Sequence, residues 1–177
     1  MISPADARRD RATAKVAPLR AGVAAALLLL LASLGAVAGE IETAVADRAA
    51  AIQATRGTRP HHRSWPDCPP LGAALTEWRD ARGVVRRAVL AHGSEDSAFR
   101  VEMFRDGAGH PRLALISGGA VNGARLVQRI VFGPNGRRVR EARSVSDPGY
   151  TFPNPWPDAL LPRPRTPAGR CPWPEQG

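Results

Sequence analysis

The sequence predicts a mainly β protein: a single antiparallel β-meander of about six strands, forming a curved sheet or small open barrel, with an N-terminal signal or anchor helix before it and a Pro-rich wrap after it. Three observations carry that reading. Between Leu71 and Val145 apolar residues alternate with period two, as Phe99, Val101 and Met103 do against Arg100 and Glu102. The turn signals "DARG", "HGSED", "DGAG", "SGGAVNG" and "GPNG" recur about every 11 to 15 residues, the rhythm of short hairpins. At the amino terminus, a basic stretch leads into a long apolar run.

That leader comes first in the chain. Arg8, Arg9, Arg11, Lys15 and Arg20 precede "AGVAAALLLLLASL", and "AVA" at Ala36 to Ala38 supplies a small-x-small site with the cut before Gly39. Residues 1–38 therefore read as a secretory signal peptide. The competing reading is an uncleaved membrane anchor extending to residue 39, because residues 21–39 carry no charge and approach the ~20 residues that span a bilayer. Basic residues before the run, with Glu40 and Glu42 after it, orient the chain for export in either case. The expected location is periplasmic or secreted, or inner-membrane anchored if the leader stays, with membrane contact only through this segment.

Residues 39–57 have helix-forming composition, and Ile41, Val45, Ala49 and Ile52 fall on one predicted stripe, with Gly57 as the stop. Residues 58–70, interrupted by Pro60 and "PDCPP", read as a linker. Strands are expected near residues 74–79, 84–91, 98–105, 112–117, 124–132 and 137–144. Nine prolines between Pro148 and Pro174 exclude a central strand there. Tyr150, Phe152, Trp156, Leu160 and Leu161 nevertheless give that stretch something to bury, with one helical turn expected at "PDALL".

Cys68 and Cys171 are the only cysteines, and in an exported chain the pair reads as a disulfide closing a domain of residues 71–171, with residues 172–177 as a tail. Trp65 and Trp173 lie near enough in sequence to cover that bridge. Metal ligation by Cys68, His61 and His62 lacks the paired short spacing of zinc sites. No metal and no cofactor is expected.

"WRDARGVVR", "FRDGAGHPR" and "FGPNGRRVR" share an aromatic, then Asp or Pro, then Gly, then Arg. Each offers at most one carboxylate, so they read as turns rather than calcium loops. Over Trp78 to Arg140 these tandem hairpins loosely resemble the exported YD-type and MORN-type repeat proteins. The recurring tyrosines of those repeats are absent and the spacing here is 26 then 28 residues, so the resemblance implies no function and no site residue.

Charge and motifs bound the function. The whole chain carries +9; the first 38 residues hold five of its 25 cationic and two of its 16 acidic residues, leaving 20 and 14, or +6, all of the cations Arg. No nucleophile elbow, H-E-x-x-H, Walker or dinucleotide-binding signature occurs. A non-enzymatic binding or structural module of the bacterial envelope is the expected function. The alternative is a small envelope hydrolase or inhibitor using the face with His92 and His110. Arg125, Arg129, Arg138 and Arg140 are the candidate anion-binding residues, suited to an anionic envelope component. Another envelope protein is the other expected partner. Nucleic acid is not expected, since the basic strands lack interleaved aromatics.

Overall fold

The computed structural model describes residues 39, 41–68, 71–146 and 149–163. Residues 1–38, read from the sequence as a leader, and Cys171, Trp173 and residues 172–177, read as a tail, lie outside the described residues. A helix, α1, covers residues 41–54. Seven strands follow: β1 (His61–Trp65), β2 (Ala73–Arg79), β3 (Val85–Gly93), β4 (Ser97–Arg105), β5 (Pro111–Ala120), β6 (Arg125–Phe132) and β7 (Arg138–Val145). They pair antiparallel in sequence order as one sheet, β1 and β7 being its edges. The expected six strands become seven because His61–Trp65, inside the stretch read as a linker, pairs with β2 from His61 opposite Glu77 to Trp65 opposite Ala73. "SGGA" also differs from the reading as a turn. It belongs to β5, where Gly118 makes room for the Phe99 ring and Gly119 for the Arg125 guanidinium: a Cβ at these positions would lie 2.9 and 2.7 Å from those side chains.

Four of the hairpin corners are built alike. In residues 80–84, 106–110, 120–124 and 133–137 the first amide donates to the fifth carbonyl, the fourth amide donates to the first carbonyl, and the fourth residue is Gly with φ between 74° and 91°. Only glycine adopts that backbone without a steric cost. The fifth amide is satisfied by a side chain in one of two ways. Asp80 and Asp106, at the first position, accept it with Oδ1, together with the third amide. Asn122 and Asn135, at the third position, accept it in the other two corners. The 80–84, 106–110 and 133–137 corners share one end of the sheet, and Arg82 Nη2 donates to Gly107 O at 2.7 Å between the first two.

Next to each of these three corners the register shifts, at Trp78/Arg79, Phe104/Arg105 and Val131/Phe132. The three aromatics are not equivalent, however. Trp78 and Phe104 stand two residues before their corners and share one cross-strand row, Trp78–Arg87–Phe104–Leu113–Val131–Arg140. Phe132 stands one residue before its corner, and Val131 takes the matching place in the row. The likeness between the three sequence stretches is therefore offset by one residue at the third, and in a strand that puts the aromatic on the opposite face.

The sheet has two unlike faces. On the core face, Leu75, Leu90, Val101 and Ile116 form one cross-strand row and Ala88, Met103, Ala114 and Ile130 the next. Phe152, Trp156, Leu160 and Leu161, from residues 149–163, are buried in the same cluster, and Asp158–Leu160 forms a single 3-10 turn within "PDALL". Phe99 packs at 4.9 Å from Trp156 and 5.8 Å from Phe152, ring centre to ring centre. The opposite face receives α1: Ala44 and Ala51 meet Phe104, Leu113 and Val131. The helix thus packs through a stripe other than the one its large apolar residues predict. Asp47 takes the Arg112 guanidinium at 2.7 Å and Arg48 lies over Phe104, while Val45 and Ile52 are exposed. The reason is distance: small residues let the helix backbone approach the sheet, and the buried Arg112 needs a carboxylate there.

Two predictions follow from these contacts. Asp47→Ala leaves Arg112 buried without its carboxylate and should cost about 3 kcal/mol in urea unfolding, whereas Val45→Ser should stay within about 0.5 kcal/mol; equal effects would contradict this packing. For Asp106, burial raises the carboxyl pKa, but the His110 and Ala108 amides outweigh it and hold the group below its ordinary value of 3.8. A depressed folded-state value means that the contribution is present above 3.8 and is lost as pH falls through the folded value. Asp106→Asn keeps an acceptor that does not titrate, so its melting temperature should fall less than the wild type's below about pH 4. Asp106→Ala should lose about 1–2 kcal/mol at neutral pH.

Candidate anion-binding face

Register decides where each arginine of the sheet points, and partners divide them into two groups. Arg63 and Arg79 both reach Glu77 Oε2 at 3.1 Å. Arg86 lies 3.5 Å from Asp80, Arg87 2.5 Å from Glu102, and Arg112 is held by Asp47. Arg105 donates to the carbonyls of Gly109 and Pro162, and Arg143 to that of Phe152. Arg138 binds Asp158, Glu141 and the Trp156 carbonyl. Four strand arginines remain, Arg100, Arg125, Arg129 and Arg140, and their side chains make no hydrogen bond or ion pair among the described residues. All four are exposed.

These four stand on the helix face. Arg100 is opposite Ser117, and Ser117 opposite Val127; Leu115 is opposite Arg129; Gly119 is opposite Arg125; Val131 is opposite Arg140. Strands β4 to β7 thus present a cationic surface beside the area that α1 covers. A groove of about 520 Å³ runs across it, lined by Arg100, Leu115, Ser117, Val127, Arg129 and Ser144. A second depression toward the β3–β4 turn shares Arg100 and Ser117 and adds Arg125. The chemistry on offer is multidentate donation from guanidinium groups, supported by Ser117 and Ser144 hydroxyls and by the methyls of Val127, which is 64% exposed.

Of the arginines predicted from sequence, Arg125, Arg129 and Arg140 come together on this face. Arg138 does not join them, since the register shift after Val131 turns it toward residues 156–158, where its charge is matched. Arg100 was missed. Alternation in "FRVEM" marks it as outward, but only the pairing of β4 with β5 sets it beside the β6 arginines.

The two histidines of the alternative reading do not share a surface. His92 is opposite Phe99 near one end of β4, and His110 lies past Arg105 at the other, six residues or about 20 Å along the strand. His92 is stacked on Phe99 at 5.3 Å, and burial pushes its imidazole below the ordinary value. His110 is mostly exposed, with Nδ1 3.3 Å from Asp106 Oδ2. His61 and His62 lie on the edge strand β1, where His62 Nδ1 meets the Thr76 hydroxyl at 3.0 Å. Among the described residues no three His, Cys, Asp or Glu side chains converge as a metal site. No helix among them is long and apolar enough to cross a membrane.

Cys68 is buried in the core cluster, and no free cysteine occurs among the described residues. No protein-family model, no curated protein and no solved structure matches the chain.

Proposed function

We propose that the chain is an exported, non-enzymatic binding module of the bacterial envelope that docks on a polyanionic envelope component through the helix-face arginines. One observation carries this reading: the sheet's arginines are sorted, with eight engaged by carboxylates or carbonyls and the remaining four, Arg100, Arg125, Arg129 and Arg140, collected unpaired on one face. A solvated face of mixed charge would scatter its acids among its bases, whereas the acid lining the groove, Glu102, is occupied by Arg87, and the acids of the second depression, Glu95 and Asp96, lie at its rim on the β3–β4 turn, where Asp96 accepts from Ser94 and Tyr150. The basic stretch and apolar run before Gly39 support the exported location, whether that segment is cleaved before Gly39 or retained as an anchor. The Cys68–Cys171 bond belongs to the same proposal: in the chain-entropy model, closing a loop of about 100 residues contributes on the order of 4.7 kcal/mol. The hydrolase or inhibitor reading would need His92 and His110 on one face, and they lie at opposite ends of the sheet.

Vesicle co-sedimentation tests the surface. The full chain should bind phosphatidylcholine vesicles containing phosphatidylglycerol, lose that binding as NaCl rises, and ignore phosphatidylcholine alone. Replacing Arg100, Arg125, Arg129 and Arg140 by Gln should weaken binding roughly a thousandfold, at about 1 kcal/mol per cation, with an unchanged melting temperature. Binding by the fourfold variant at wild-type strength would remove the proposed function. Mass spectrometry of the exported protein should show a first residue Gly39, and thiol labelling without reductant should leave both cysteines unmodified.

A further inference from the structure

On the core face, between the end of β4, the 133–137 corner and residues 158–163, a cleft of about 220 Å³ is lined by Met103, Arg105, Phe132, Asp158, Leu161 and Arg163, among others. Arg105 is the unusual member. It is 4% exposed, and among the described residues none of its side-chain hydrogen bonds goes to a carboxylate: Nη1 and Nη2 donate to the Gly109 and Pro162 carbonyls, while the buried Nε has no hydrogen-bond partner there. The acids nearest it in charge make their contacts elsewhere, although Glu77 keeps a buried Oε1 with no hydrogen-bond partner among the described residues. Glu77 Oε2 receives both Arg63 and Arg79, and Asp106 receives the amides of Ala108 and His110 and the His110 ring. In the cleft itself, Asp158 is bound by Arg138, and Arg163 adds a second, exposed cation. Burial lowers the Arg105 pKa, with Glu77 and Asp106 opposing that shift from beyond hydrogen-bond distance. A guanidinium taken out of water without an anionic contact is costly.

We propose that this cleft is a binding site for a small monocarboxylate with a compact apolar body, its carboxylate accepting from Arg105 Nε and from Arg163, and its body lying against Met103, Phe132 and Leu161. The apolar lining is what selects an organic acid over an inorganic anion. Size fits as well: a cavity of about 150 Å³ admits benzene, so about 220 Å³ has room for an acid of benzoate size. Because Arg105 also holds Pro162, an acid bound here ties residues 158–163 more firmly to the sheet. The site is on the opposite face of the sheet from the arginines proposed for envelope docking and stands independently of them.

Titration of the full chain with sodium benzoate, benzamide and sodium phosphate at constant ionic strength tests this, read by calorimetry and by melting temperature. Benzoate should bind saturably and raise the melting temperature, with benzamide and phosphate at least about tenfold weaker, as expected for charged hydrogen bonds. Arg105→Lys should weaken benzoate by about tenfold or more, because an ammonium lacks the Nε donor. If that variant fails to fold, Arg163→Glu, at an exposed position, provides the same test and should also weaken benzoate about tenfold. The variant lacking Arg100, Arg125, Arg129 and Arg140 should bind benzoate as the wild type does. No saturable response to benzoate, benzamide binding equal to it, phosphate binding without benzoate, or an Arg163→Glu variant unchanged in affinity would each overturn the proposal.

Discussion

The fifth amide of each of the four matched hairpin corners must find an acceptor, and much else in the sheet follows from how it does so. Asp at the first position or Asn at the third supplies the oxygen, and Gly at the fourth supplies a backbone with positive φ. With its ends closed in that way a hairpin has one register. Because side chains alternate strictly along a strand, one register also means one assignment of residues to faces. A slip of a single residue at the 106–110 corner would bring Phe99, Val101 and Met103 out of the core and send Arg100 and Glu102 into it.

The two faces are then covered differently. Residues 149–163 bring large rings and leucines to the core face, where Phe99, Phe152 and Trp156 meet edge to face or tilted. On the other face α1 contributes mainly alanines and one ion pair, Asp47 to Arg112. The first cover derives its strength from apolar area and the second from close approach and a partly buried charge pair. Since α1 packs around Phe104, Leu113 and Val131, Arg100, Arg125 and Arg129 on other rows and Arg140 at the β7 end of that row stay in solvent. The cationic surface is thus what a short helix leaves uncovered on a seven-stranded sheet.

Charge burial is the recurring expense of a chain that, from Gly39 onward, has arginine as its only strong cation. Glu77 is almost fully buried and pairs with both Arg63 and Arg79, and Gln128 bonds to Glu141, which also accepts from Arg138. Arg105 stands apart from these networks, held by carbonyl oxygens alone. Carbonyl dipoles orient a guanidinium but offset its charge only in part.

Much of the fold is legible in the sequence, because period-two alternation and corner chemistry are local. The strands from Ala73 to Val145 fall within a few residues of where the pattern sets them. The strand at His61–Trp65 was not legible: between Pro60 and Pro66 it carries no alternation, and it is a strand because β2 offers it an open edge. Nor was the packed side of α1, since apolar size points to Val45 and Ile52 while the sheet requires Ala44, Asp47 and Ala51. The candidate surface divides in the same way. That Arg125, Arg129 and Arg140 lie outward follows from local alternation alone. That Arg100 stands with them and Arg138 does not depends on which strands are neighbours and on the register shift beside Phe132, and those are pairings between residues distant in the chain.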